Sequence, residues 1–467
     1  MRRLLLILPL LALCAWAPAA DASARQTVTF EAPRELLSAS TRAETLDQIQ
    51  AFGVTRVRQL VYWRDYAPEP DSKTKPAGFD PSNPAAYPAD KWDNLDGLIA
   101  AAKERGIDVT LTLTGPVPRW ATKTKKDNYT DPLPAEFGAF ATAMGRRYGE
   151  SVNMWSVWNE PNQPQFLRPQ FKKGKAYSPK LYRKLYQAAQ KGIVATPANA
   201  KDTLLIAETS PRGNSNIVAP LAFLRGMLCL DSKYKKTKSC AKLDVGGYAH
   251  HAYTTSAGPR WVPPKADDVT IGVLPRLVTA IDKAAKAGAL PKNLPVHLTE
   301  FGIQTEPDKI SGVSLERQAA YLAVSEHIAY VNPRVAAFSQ YLMSDDPPRS
   351  NGYKYGGFES GLRDADGKEK PAYNGFRLPL AVETYGTQDV LWGLVRPQRE
   401  VSKVTIERRI TGFKTWRVLK TIDTTASGVY ALKTPRNKKG QHYRVKWTSP
   451  EGKTYTGPSV KGYALGS

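Results

Sequence analysis

Metal and thiol chemistry is nearly missing from this chain: 467 residues hold three cysteines and five histidines. No Cys-x-x-Cys pair occurs and no His or Cys spacing matches a ligand set, so no metal site and no cofactor are expected. Long apolar runs are lacking too. The longest, Leu4 to Trp16, is too short to stay in a bilayer as a helix, and nothing else is apolar enough to be a membrane span. Acidic residues are scarce, 43 against 66 basic ones, for a formal net charge of +23. The aromatics do not interleave with the basic residues in any nucleic-acid-binding pattern, which argues against nucleic acid as a partner. There is no internal repeat and no low-complexity segment.

What is present begins with a leader. Arg2 and Arg3, the apolar run and Ala22-Ser-Ala24 read as a cleavable signal peptide over residues 1–24, which predicts a secreted, extracellular protein. Leu13 before Cys14 is too large for a lipoprotein site. Cleavage removes Arg2, Arg3 and Asp21 and leaves a charge of +22. Such an excess draws polyanions, and for an exported protein acidic cell-wall or uronic-acid polysaccharides fit; a merely soluble basic surface is the plainer alternative. Cys229 and Cys240 flank a Lys-rich run. In an oxidising compartment they are expected to form one local disulfide, contributing about 3 kcal/mol. The sequence leaves the oligomeric state open.

From residue 27, short apolar strands alternate with amphipathic helical stretches, the pattern of repeated βα units around a parallel sheet. Strands are predicted at 28–31, 55–63, 109–114, 154–159, 204–208, 246–253, 296–300 and 336–343. Helices are predicted at 43–51, 92–105, 135–148, 179–195 and 274–287, with a closing helix at 370–376. Eight strands are the number a closed α/β barrel needs. The long segments 68–89, 161–178, 254–270 and 344–357 all follow strands, and in a barrel such loops share the face where active sites are built. After residue 381 the pattern changes to short alternating strands between Gly, Asn and Pro turns. Residues 382–467 thus read as a small all-β sandwich appended to a barrel of residues 25–381. Trp392, Trp416 and Trp447 in it are expected as core more than as sugar platforms.

Two strands end in a carboxylate. Asn153-Met-Trp-Ser-Val-Trp-Asn-Glu-Pro-Asn162 delivers Glu160 and breaks at Pro161; Leu294-Pro-Val-His-Leu-Thr-Glu-Phe-Gly302 delivers Glu300 and breaks at Gly302. Taken alone, each Glu could simply cap or form a salt bridge. Together on one face they supply what glycoside hydrolysis requires: a carboxyl held protonated for the leaving oxygen and a second one ionised.

Trp158-Asn-Glu-Pro-Asn162, followed about 140 residues later by Thr299-Glu-Phe-Gly302, resembles clan A of the retaining glycoside hydrolases, TIM barrels such as families 5 and 39. The likeness covers roughly residues 25–380. It implies that Glu160 is the acid/base and Glu300 the nucleophile. Arg56 and Arg58 share one face of the second strand, and the resemblance assigns the Arg beside the nucleophile to Arg58, five residues before Trp63. It likewise implies that Asn159 meets the sugar 2-hydroxyl, and that His251 and Tyr253, a His-x-Tyr pair on the sixth strand, serve the substrate or acid/base and the nucleophile respectively. His250, of opposite parity, is expected to be structural.

The eighth strand departs from the clan. It reads Phe338-Ser-Gln-Tyr-Leu-Met343 where many members place a Trp under the sugar. Gln340 or Tyr341 is the expected substitute, and Trp63, Trp120 and Trp261 are candidate stacking platforms. The reading is therefore a secreted β-glycoside hydrolase acting by double displacement on a carbohydrate substrate. A catalytically idle carbohydrate-binding barrel is the alternative, which a matched acid and nucleophile disfavour.

Overall fold

Val, Leu, Thr and Ile dominate the strands, and their residues are buried along nearly the whole length, as a sheet covered on both faces requires. The computed structural model describes residues 26–347, 357–397 and 400–464. The predicted signal peptide lies outside them, as does most of the loop 344–357. Eight parallel strands close a barrel in chain order. They are β1 (Thr27–Glu31), β2 (Arg56–Tyr62), β3 (Asp108–Thr114), β4 (Met154–Val157), β5 (Thr203–Thr209), β6 (Gly247–His251), β7 (Val296–Glu300) and β8 (Val335–Tyr341). The fold is a TIM barrel, with every predicted strand present and its ends shifted by at most three residues.

The interior of the barrel is unusually polar. Thr29, Arg56, Arg58, Thr110, His297 and Thr299 line a small internal cavity of about 30 Å³, where aliphatic layers would be the usual filling. Alternate residues such as Val28, Phe30, Val57 and Leu111 face the surrounding helices.

Among the described residues four helices went unread in the sequence, the short Pro33–Leu37 and Trp63–Tyr66, then Pro220–Met227 and Leu315–Tyr330. Helix Leu315–Tyr330 lacks a one-sided apolar stripe because it is covered twice, by the barrel and by the sheets that follow. Those sheets begin at β9 (Leu380–Tyr385) and β10 (Gln388–Leu394). They continue through β11 (Lys403–Ile410), β12 (Arg417–Asp423), β13 (Val429–Pro435), β14 (Gln441–Thr448), β15 (Thr454–Thr456), β16 (Val460–Lys461) and β17 (Tyr463–Ala464). One sheet has the order β13-β10-β9-β17; the other runs β12-β11-β14-β15, with β16 also on β14. Leu391, Val404, Ile406, Tyr443 and Trp447 fill the core between them.

The two parts are pinned together by charge and aromatics. Trp392 stacks on His327 at 4.8 Å and meets Tyr330, Arg396 pairs with Glu326, and Arg377 lies between Phe52 and Tyr455. Trp392 and Trp447 are thus core. Trp416 is half-buried, flanked by the guanidinium groups of Arg409 and Arg444. Cys229 and Cys240 form the expected disulfide.

Candidate active site

The ends of β4 and β5 are bent out of regular strand geometry. Trp158 and Glu160, at φ 69° and 39°, and Ala207 and Glu208, at φ 91° and 47°, all adopt left-handed conformations that non-glycine residues avoid. The surroundings hold them there. Trp158 N–H donates to Leu113 O (2.7 Å), Asn159 N–H to Thr114 Oγ1 (3.0 Å) and Glu160 N–H to Glu208 O (3.0 Å). On β7, Glu300 is followed by Gly302, where a Cβ would come within 2.6 Å of Ser360 Cβ, so the loop needs glycine.

These bends gather four carboxyls around two cations. Arg58 Nη1 donates to Glu31 Oε2 (2.7 Å) and Glu300 Oε2 (3.2 Å), Nη2 to Asn159 Oδ1 (2.8 Å) and Nε to Thr112 Oγ1 (3.0 Å). Its Nη2 also lies 3.5 Å from Glu208. His251 donates from Nδ1 to Glu160 Oε1 (3.0 Å) and from Nε2 to Glu208 Oε2 (2.8 Å). Tyr253 Oη donates to Glu300 Oε1 at 2.8 Å, and Gln163 Nε2 to Glu160 Oε2 at 3.1 Å. Glu160, His251 and Glu300 each place one polar atom within 4.8 Å of the other two.

The carboxyls differ in charge state. Burial pushes Glu31 up to about 7 against the pull of Arg58. Burial likewise holds Glu160 above the usual carboxyl range, although His251 opposes the shift. Glu208 goes the other way: burial disfavours its charge, but Arg58, His251 and Ser156 outweigh that and bring it down to about 2. His251 is raised to about 10, because Glu300, Glu160 and Glu208 overcome its burial. It is therefore an imidazolium at neutral pH, donating from both nitrogens. Arg58 and His251 thus supply two positive charges, and the surroundings push Glu31 and Glu160 toward the acid form and Glu208 toward the anion.

Above this network lies a cleft of about 360 Å³, walled by Tyr62, Gln163, Phe166, Arg212, Tyr341 and Phe358 with Asn159, Glu160, Tyr253 and Glu300 at its base. Glu160, Glu300, Arg58, Asn159, His251 and Tyr253 therefore come together. His250 sits apart, bonded to Thr209 and Val269 O. Four expected substrate contacts do not line the cleft. Trp63 is fully buried, stacked on Phe140 and edge-on to Trp120, and Trp120 is buried with its indole N–H on Pro68 O. Both are core of an aromatic cluster, since the chain turns into a helix straight after β2. Gln340 is spent on backbone, donating to the carbonyls of Tyr341, Leu342 and Ser360; its neighbour Tyr341 is the residue that faces the cleft. Trp261 is half-buried and lines a second hollow beside the cleft.

Glu31 and Glu208 were not singled out in the sequence. Both carry the mark used for Glu160 and Glu300, an apolar strand ending in Glu: Val28-Thr-Phe-Glu31 and Leu204-Leu-Ile-Ala-Glu208. Strict alternation would turn Glu208 outward with Leu204 and Ile206. The left-handed pair at Ala207 and Glu208 shifts the register against β6 and turns it in.

The model of the family described as Cellulase (glycosyl hydrolase family 5) matches residues 20–334. Among solved structures, a family 39 glycoside hydrolase from Bacteroides cellulosilyticus WH2 superposes with a TM-score of 0.51 at 16% identity, covering 88% of this chain and 82% of that one. A monomeric beta-xylosidase from Caulobacter crescentus CB15 gives a TM-score of 0.49 at 16% identity over 93% and 96%. An endo-beta-1,4-mannanase from Thermotoga petrophila gives 0.47 at 13% over 95% and 98%. No curated protein sequence matches the chain.

Proposed function

From the chain's membership of glycosyl hydrolase family 5, we propose that this glycosidase is a secreted, retaining β-glycoside hydrolase with Glu160 as acid/base and Glu300 as nucleophile. The proposed division of the chain is a signal peptide over 1–24, a catalytic barrel over 25–381 and an all-β module over 382–467. The observation that carries the reading is the pairing of two strand-end carboxyls, with oxygens within 4.8 Å, in unlike surroundings. That proximity supports retention, where a carboxyl separation of about 5 Å is usual; inversion needs roughly 6.5 Å or more to admit water between them.

Glu160, whose proton affinity burial raises, gives its proton to the glycosidic oxygen as the bond to the anomeric carbon breaks. A Glu300 oxygen forms the new bond to that carbon, yielding a glycosyl-enzyme and a free alcohol. Asn159, fixed by Arg58, receives the 2-hydroxyl. Glu160, now a carboxylate stabilised by the His251 imidazolium, takes a proton from water. The hydroxide equivalent displaces Glu300 and restores both groups.

The test is reducing-sugar and aryl-glycoside release by the mature protein across plant and bacterial wall polymers, with Glu160→Gln and Glu300→Gln. Both variants should lose polymer cleavage. Glu160→Gln should keep more activity on nitrophenyl glycosides, whose leaving group needs little protonation. Equal activity of the wild type and Glu300→Gln would refute the assignment.

A further inference from the structure

Next to the cleft, and continuous with it through Gln163, Pro211 and Arg212, lies a second hollow of about 460 Å³, within the size range of ligand sites. Its walls come from the loops after β5 and β6, with Gln163 from the loop after β4. Trp261 offers a half-buried indole, and the exposed Arg212 guanidinium lies over that ring, 5.7 Å from its centroid. Lys265, also exposed, reaches in from the opposite loop. Among the described residues neither cation is in an ion pair. The single acid in the lining, Asp268, is buried, with its Oδ1 accepting the Gly213 N–H at 2.9 Å.

The hollow is a built structure. Lys265 Nζ donates to Gly213 O (3.0 Å), which ties the two loops together. Arg276 Nη1 donates to the carbonyls of Pro263, Lys265 and Asp268, and Arg225 grips Asp267 with two bonds of 2.9 and 2.6 Å. An aromatic ring in one hollow with two cations whose combined charge exceeds that of Asp268, the acid they both act on, suits a pyranose ring stacked on its apolar face and carrying an anionic group.

We propose that this hollow is a leaving-group-side subsite for a sugar unit bearing a carboxylate, that is, a uronic acid. The inference rests on the glycosidase reading above for its place along the substrate: Glu160 protonates the scissile oxygen, and Gln163, bonded to Glu160, borders the hollow. The unit beyond the scissile oxygen therefore stacks on Trp261, with its carboxylate between Arg212 and Lys265. The protein's basic excess raises the local concentration of such chains, and screening by salt weakens their capture.

Titration calorimetry with the Glu160→Gln full-length mature protein, in which turnover is suppressed, tests the site by binding alone. The probes are oligogalacturonate, oligomannuronate and glucuronic-acid-substituted xylo-oligosaccharides, each beside its carboxyl-reduced counterpart. At least one acidic probe should bind three- to tenfold more tightly than its reduced form, the scale of two partly exposed charge contacts. Adding Arg212→Gln and Lys265→Gln should abolish that preference, and Trp261→Ala should weaken both forms together. Equal binding of every acidic and reduced pair, or a preference that survives the two substitutions, overturns the subsite. Failure of the catalytic reading looks different: the acidic preference would persist in binding while no polymer is cleaved by the wild type.

Discussion

Glu160 and Glu208 are joined twice across the mouth of the barrel. The Glu160 N–H donates to the Glu208 carbonyl at 3.0 Å, and His251 spans the two carboxyls at 3.0 and 2.8 Å. Glu208, ionised down to about pH 2, joins Glu300 and Glu160 in raising the His251 pKa, and His251 in turn lowers Glu160's proton affinity. Glu208→Gln should therefore lower the His251 pKa, weaken the imidazolium's pull on Glu160 and raise the Glu160 pKa further, moving the alkaline limb of kcat/KM to higher pH. Breaking a buried pair should also destabilise the fold by about 3–5 kcal/mol. A pH–rate profile with an unmoved alkaline limb would refute this linkage; thermal unfolding checks the stability.

Glu31 makes a stability prediction of definite sign. Its carboxyl titrates at about 7 in the fold, against an ordinary 4.5. A group raised in this way contributes stability below its unfolded pKa and loses it as pH climbs through 7. Between pH 4.5 and 7 the wild type should lose about 3 kcal/mol for this reason. Glu31→Gln keeps an acceptor for Arg58 and cannot ionise, so its loss over that interval should be smaller by about that amount. Denaturant unfolding at pH 5 and pH 8 compares the two.

The contrast between these residues shows how much the sequence disclosed. The barrel was legible because period-two and period-3.6 patterns alternate cleanly through eight units. Glu160 and Glu300 stood out because Pro161 and Gly302 mark the strand ends. Glu208 was hidden, since its inward turn comes from two left-handed residues that no periodicity foretells. The helix Leu315–Tyr330 was hidden because its second face is covered by strands far along the chain. Trp63 and Trp120 misled as platforms for a related reason: strand-end position does not fix which way an indole packs, and here both turn into the aromatic cluster.

Tyr253 isolates one hydrogen bond at the nucleophile. Its ring lies nearly parallel to Phe301, with centroids 6.0 Å apart, so Phe can replace it without a cavity. What Tyr253→Phe removes is the 2.8 Å bond to Glu300 Oε1. A hydrogen bond to a charged group contributes about 1.5–3 kcal/mol, so kcat/KM should fall roughly ten- to hundredfold with the unfolding temperature nearly unchanged. Steady-state kinetics beside a melting curve decide it, and unaltered kcat/KM would remove Tyr253 from the working site.

The loop that carries Trp261 is tied to the sheets beyond the barrel through Arg260. Its Nε donates to Glu383 Oε1 at 2.8 Å, and Glu383 on β9 is buried, with His327 on its other oxygen at 3.2 Å. Arg260→Ala leaves that carboxylate with one partner, which should cost about 1–3 kcal/mol of stability. It also frees the loop next to the Trp261 platform, so substrates that extend past Glu160 should lose affinity while small aryl glycosides should not. KM for oligosaccharides of increasing length, measured on wild type and Arg260→Ala, checks this. A rise in KM that grows with length places the β9 contact in support of substrate binding. A uniform change across lengths would confine Arg260 to holding the two parts of the chain together.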